Sequence, residues 1–258
     1  MENLYPLFER NRILKKELLW SLRDYSFAHI QLEYQEHGQG ILRGCDISVQ
    51  GKELVISPGI LKYGKFVCLL TEEERISFAP AERMQYLRLK AEVDKTSPDY
   101  IAYRMEYFLT SEEEKKENEF ELCRFCLSSG ARLRDKHRDF TDMGTQYDTV
   151  GFIHADWGGL GGKTLAPAIT RCFARTILES GNSQPEDRSF AYLCMNQLGA
   201  VPAYTLTSYL RYRSTSGLDA FKDNQSLYQS MCAIVASIGQ GSEKKGNTRK
   251  EKHRILVD

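Results

Sequence analysis

The stretch Gly40-Ile41-Leu42-Arg43-Gly44-Cys45-Asp46-Ile47-Ser48-Val49-Gln50-Gly51-Lys52-Glu53-Leu54-Val55-Ile56-Ser57-Pro58-Gly59-Ile60, followed by Tyr63-Gly64-Lys65-Phe66, decides the fold class. Ile47 and Val49 alternate with Asp46, Ser48 and Gln50, which is a strand period of two. Gln50-Gly51-Lys52, Ser57-Pro58-Gly59 and Tyr63-Gly64-Lys65 are closely spaced turn signals between short apolar runs ending in Phe66-Val67-Cys68-Leu69-Leu70. That spacing predicts an antiparallel meander.

Upstream, the period is that of a helix. Leu4, Leu7, Phe8, Leu14, Leu18, Leu22 and Tyr25 recur at helical spacing with Arg10, Arg12, Lys15 and Lys16 opposite, predicting a long amphipathic helix closed by Gly38 and Gly40. Downstream, Leu87, Leu89, Ala91 and Val93 alternate with Tyr86, Arg88, Lys90 and Glu92. Ile101, Tyr103, Met105, Tyr107 and Leu109 alternate with Arg104 and Glu106. Two longer strands, each with one buried and one wet face, are expected. Ser111-Glu112-Glu113-Glu114 has the form of a capping box opening a short charged linker or helix. A strand-like piece from Phe120 to Leu127 and an acidic loop follow.

From Val150 the pattern is helical: Leu165, Ile169, Cys172, Phe173 and Ile177 up to Gly181; Pro185 to Gly199; Pro202 to about Arg213; and Leu227, Met231, Ile234, Val235 and Ile238, ended by Gly239. The expected class is α+β: a long N-terminal amphipathic helix, a small antiparallel β-module and an α-helical C-terminal domain. The expected division is an assembly helix over 1–37, the β-module over 38–110, a linker with a strand and an acidic loop over 111–149, the helical domain over 150–241 and a basic, flexible tail over 242–258.

With 258 residues the chain needs no disulfide or metal to hold a core. Lys plus Arg and Asp plus Glu are each 35, so the formal charge is zero, which argues against general nucleic-acid binding. The start, Met1-Glu2-Asn3-Leu4, lacks the basic-then-apolar form of a secretory signal, and no apolar run is long enough for a membrane span. Seven scattered cysteines (Cys45, Cys68, Cys123, Cys126, Cys172, Cys194, Cys232) suit a reducing compartment, so synthesis and assembly in a cytoplasm are expected.

Three groups could carry chemistry. Gly158-Gly159-Leu160-Gly161-Gly162-Lys163-Thr164 approaches a phosphate-cradling loop, but Trp157 stands where the first glycine belongs, and a glycine linker into a helix is the preferred reading. A nucleotide-binding enzyme using Gly158–Thr164 is the alternative function. Cys123 and Cys126 are a lone pair without two further ligands. Asp135, His137, Asp139, Asp142 and Asp148 are interleaved with Arg132, Arg134, Lys136 and Arg138, so they are read as ion pairs ordering a loop. No residue is assigned to catalysis, cofactor or metal, and no cofactor is expected.

The Gly40–Phe66 hairpins resemble the β-module near the start of baseplate and fibre-attachment proteins of phage tails and phage-tail-like contractile particles. Phe120-Glu121-Leu122-Cys123-Arg124-Phe125, Gly130-Ala131-Arg132-Leu133-Arg134 and Asp139-Phe140-Thr141-Asp142 are similar to structural proteins of tail clusters in Gram-positive bacteria. The resemblance implies a non-enzymatic baseplate or connector subunit of a virion or contractile injection particle. Its partners would be other baseplate or tail subunits and further copies of itself. The assembly-helix candidates are Leu7, Leu14, Leu18, Leu22 and Tyr25.

Overall fold

The computed structural model describes residues 10, 13, 15–213 and 222–246, with residues 240–246 described by backbone alone. Leu4, Leu7, Phe8 and Leu14 of the expected helix, and positions 247–258 of the expected tail, lie outside the described residues. The architecture is α+β, with three small sheets and five α-helices among the described residues.

Helix α1 runs over Lys16–Glu33 and ends five residues before Gly38. Strands β1 (Gly40–Gly44), β2 (Ile47–Gln50), β3 (Glu53–Ile56), β4 (Gly59–Tyr63), β5 (Phe66–Leu70) and β6 (Glu74–Ser77) follow. The turns at Gly51 and Gly64 close the β2–β3 and β4–β5 hairpins, with Ile47 opposite Ile56 and Tyr63 opposite Phe66. The expected single meander is corrected, because the two hairpins belong to different sheets. β2 and β3 pair with β6, whereas β4 and β5 join β1.

The switch has a local cause. The chain bends twice at one corner, at Gly44–Cys45, where both residues have positive φ (67° and 54°), and at Pro58–Gly59. A Cβ on Gly44 would collide with the Pro58 carbonyl. Cys45 N donates to that same carbonyl (3.2 Å), and Asp46 and Ser57 exchange bonds across the corner (2.9 Å each). Bends of this kind let a strand leave one sheet for another.

Strands β7 (Met84–Asp94), β8 (Ala102–Thr110) and β9 (Glu119–Cys126) form the third sheet, with β7 central. Leu87, Leu89 and Ala91 are fully buried as the alternation requires, and each such leucine stabilises the fold by about 1.5–3 kcal/mol. The expected wet face is corrected, since Tyr86 and Arg88 on it are buried too. The segment after β8 covers that face. Arg88 Nη1 donates to the Glu114 carbonyl (2.7 Å) and to Glu119 Oε2 (3.2 Å). Its Nη2 donates to the carbonyls of Glu112 and Glu113 (2.7 and 2.8 Å). The expected capping box is therefore no helix start: these backbone carbonyls wrap a guanidinium instead.

The glycine run expected as a linker is a hairpin, β10 (Trp157–Gly159) and β11 (Gly162–Thr164), with β10 parallel to β1 at Ile41–Trp157. The segment after Val150 thus starts with strands before its helices: α2 (Pro167–Glu179), α3 (Pro185–Asn196), α4 (Ala203–Arg213) and α5 (Asn224–Gly246). Gly239 does not end α5, which carries the start of the expected tail as helix up to Gly246. Ile169, Phe173 and Ile177 of α2 enter one hydrophobic core shared with all three sheets. Buried Asp187 ties α3 to α4, receiving the Tyr209 hydroxyl (2.8 Å) and pairing with Arg213 (2.7 Å). Burial, reinforced by this carboxylate, pushes the Tyr209 hydroxyl well above its ordinary pKa.

Candidate assembly surface

None of the residues of α1 is buried, although the helix is rich in Leu and aromatic side chains. Leu19, Trp20, Leu22, Tyr25, Phe27 and Leu32 are all exposed, Tyr25 to 66% and Leu32 to 65%. Of the assembly-helix candidates, Leu18 is half-buried, Leu22 and Tyr25 are exposed, and Leu7 and Leu14 lie outside the described residues. Apolar side chains of α1 occupy more than one side of the helix. Phe27, Ile30 and Gln31 line a cavity of about 240 Å³ with Phe66, Val67, Cys68 and Leu69 of β5 and with Tyr103 and Met105 of β8. At 3.6 residues per turn, Leu18, Leu22 and Tyr25 lie on the opposite side, whereas Leu32, with Ala28 and Gln35, lines a groove against Lys62, Gly64, Lys65 and Val67.

The C-terminal end of α1 is fixed with unusual care. Lys62 on β4 is buried, and its ammonium donates to the carbonyls of Tyr34 (2.8 Å), Gln35 (2.9 Å) and His37 (2.7 Å). A cation at the carbonyl end of a helix satisfies orphan acceptors and meets the negative end of the helix dipole. Just beyond, Gly38 N donates to the Gly159 carbonyl (2.9 Å) and Gly161 N to that of Glu36 (3.0 Å), and His37 bridges to Leu160. A Cβ on Gly38 would lie 2.6 Å from the Gly162 carbonyl carbon. The glycines of 158–162 thus permit two backbones to touch.

That contact also accounts for the nucleotide alternative. Gly158 and Gly159 pair with Lys163 and Gly162 in the β10–β11 ladder and Gly161 N donates to the Glu36 carbonyl, so the run folds as a hairpin and not as a loop wrapped round an anion. The Lys163 ammonium lies 3.3 Å from Asp156 Oδ1. Asp156 also accepts from Lys115 and from Glu121 N (2.7 Å).

The other candidate groups are consumed in structure. Cys123 lies opposite Leu87 and Cys126 opposite Met84, both buried, and burial pushes the Cys123 thiol far above its ordinary pKa. Asp142 receives a two-point contact from Arg134 (2.5 and 2.6 Å) and the Arg138 amide (2.8 Å). Asp135 accepts from Val49 N (2.8 Å), Asp139 from Asp142 N (2.9 Å) and Asp148 from Ser128 N (2.8 Å). His137 Nε2 lies 3.0 Å from the Val150 carbonyl, and burial pulls its pKa down. Among the described residues no group of three or more His, Cys, Asp or Glu could hold a metal ion. No helix among them is long and apolar enough to cross a membrane.

A second exposed apolar group went unread in the sequence. Tyr192 and Met195 on α3, Leu198 after it, and Tyr204 and Tyr212 on α4 are 46–76% exposed. Their helical periodicity was legible, but which residues were left outside the core depended on packing.

No family model matches the chain, and no curated protein matches it. Among solved structures it is similar to a chain described as "Crystal structure of TssK", at 10% identity and a TM-score of 0.40, over 93% of this chain and 69% of that one. A likeness this loose carries no argument about fold or role.

Proposed function

We propose that this chain is a structural, non-enzymatic subunit of a phage tail or phage-tail-like contractile particle, at the baseplate or a connector, and that it works by protein–protein assembly. The observation that carries the assembly reading is α1: 18 residues, none buried, with large apolar side chains facing water and one end clamped to the body by Lys62. Exposed apolar surface concentrated on one element marks an interaction site. The placement in such a particle rests on the resemblance of the Gly40–Phe66 hairpins.

In this reading the segment to residue 37 is the docking helix and 38–110 presents a rigid β-surface. Residues 111–149 link it to 150–241, where Tyr192, Leu198, Tyr204 and Tyr212 supply a second docking face, and 242–258 is a basic tail. The partners are neighbouring baseplate or tail subunits, with assembly in the cytoplasm and incorporation into the particle. No geometry favours nucleotide binding at Gly158–Thr164.

The test is incorporation. The double substitution Leu18→Asp with Leu22→Asp, neither residue being buried, leaves the body folded and removes the chain from sedimented particles identified by peptide mass. Particles that carry the double variant at the normal level contradict the proposal.

A further inference from the structure

A cavity of about 520 Å³ opens between the start of β2, the loop around Lys136 and the N-terminal half of α2. Its inner wall is apolar. Ile41 of β1, Leu122 of β9, Met143 and Trp157 of β10 all line it, and all four are buried. Protein interiors leave few voids larger than a water molecule, and this volume falls within the range of small-molecule sites. The remaining lining is charged. Arg171 and Arg175 reach it from one face of α2, a turn apart, and Lys136 from the loop. Arg171 Nη2 donates to the Gln197 carbonyl (2.9 Å), which anchors that guanidinium. Among the described residues, none of Lys136, Arg171 and Arg175 is paired with a carboxylate.

Two carboxylates share the lining, Asp46 and Asp135, and Asp135 already accepts from Val49 N (2.8 Å). His137 lines it too but adds no charge at neutral pH, because burial lowers its pKa. Three cations against two carboxylates leave one positive charge in excess. We infer that this cavity binds a small monoanionic amphiphile, an acyl or aryl carboxylate, with its apolar body against Ile41, Leu122 and Trp157 and its carboxylate at Arg171 and Arg175. The apolar wall favours a hydrocarbon body over water, and guanidinium groups take a carboxylate through charge-assisted bonds. Asp46 and Asp135 oppose a polyanion such as a nucleotide, which fixes the preference for a single charge. The cavity shares no lining residue with α1 or with the exposed side chains of α3 and α4, so it goes beyond the assembly reading and does not depend on it.

The experiment titrates the purified full chain with decanoate, decanamide and inorganic phosphate, read by calorimetry and by tryptophan emission. The chain has two tryptophans, so Trp20→Phe leaves Trp157, in the cavity wall, as the reporter. Decanoate saturates one site with a Kd of about 100 µM or tighter. Decanamide and phosphate bind at least about tenfold more weakly, the first lacking the charge and the second the apolar body. Arg175→Glu, at an exposed position, keeps the parent's melting curve and weakens decanoate at least about tenfold. Asp46→Asn, also exposed, tightens it about threefold. No saturable decanoate binding up to about 1 mM overturns the inference. Equal affinity for decanamide or for phosphate does the same, as does an Arg175→Glu chain that binds like its parent or an Asp46→Asn chain that binds no tighter.

Discussion

Gly158 faces Gly38 across the junction between helix α1 and the β10–β11 hairpin so closely that a Cβ on Gly158 would overlap the Gly38 carbonyl oxygen. Both partners are backbone, so no side chain can swing aside. Gly158→Ala is expected to destabilise the chain by about 3 kcal/mol or more, measured by urea unfolding, because the strands must move apart. Gly181→Ala, at a position with open space around it, is the control and stays within about 0.5 kcal/mol.

That contact shows why the glycine run was misread. The residues that require glycine at 158 lie some 120 positions earlier in the chain, and no local pattern distinguishes their demand from that of a phosphate. The same holds for Ser111–Glu114, whose form suits a helix start until Arg88, on another strand, takes the carbonyls. The hairpins at Gly51 and Gly64 were legible because turn chemistry and strand alternation are both local. Their division between two sheets was not, since it arises where Gly44 meets Pro58. Helix α1 could be read as a helix, but whether its apolar residues meet the chain's own core or water is decided by tertiary packing.

Arg88 and Glu119 form a buried pair, their side chains 2% and 7% exposed. Arg88→Met strands a buried carboxylate and three carbonyls, and a loss of about 3–5 kcal/mol in unfolding free energy is expected. Arg88→Lys recovers only part of it, because one ammonium cannot reproduce the two-sided fork. Equal stability of wild type and Arg88→Met would contradict the role given to this guanidinium.

Arg134 holds the Asp142 carboxyl well below the usual carboxylate range, chiefly through the hydrogen bonds between them. A carboxylate depressed in the folded state adds stability above its unfolded pKa of about 3.9, and that stability is lost as pH falls through the folded value. Arg134→Met is therefore less stable than wild type at pH 7. The gap narrows as pH drops below about 4, measured as unfolding midpoints across a pH series. A gap that widens in acid would be inconsistent with the pair.

Lys62→Met removes the ammonium from the carbonyls of Gln35 and His37 and leaves that of Tyr34 with the His37 amide alone (3.1 Å). The expected loss is about 1–3 kcal/mol, the upper part of that range applying where water cannot reach the carbonyls. It comes with faster proteolysis between residues 34 and 38, read by mass spectrometry of timed digests. Unchanged cleavage there would remove Lys62 as the anchor of α1.

Hydrogen–deuterium exchange over residues 16–33, in the purified chain diluted to its monomer and again in assembled particles, tests the central claim most directly. In the lone chain the exposed helix exchanges quickly. In the particle the same amides are protected at least about tenfold, because α1 is covered. Exchange over 16–33 that is the same in both states would mean that α1 faces water in the particle too, and would contradict the account.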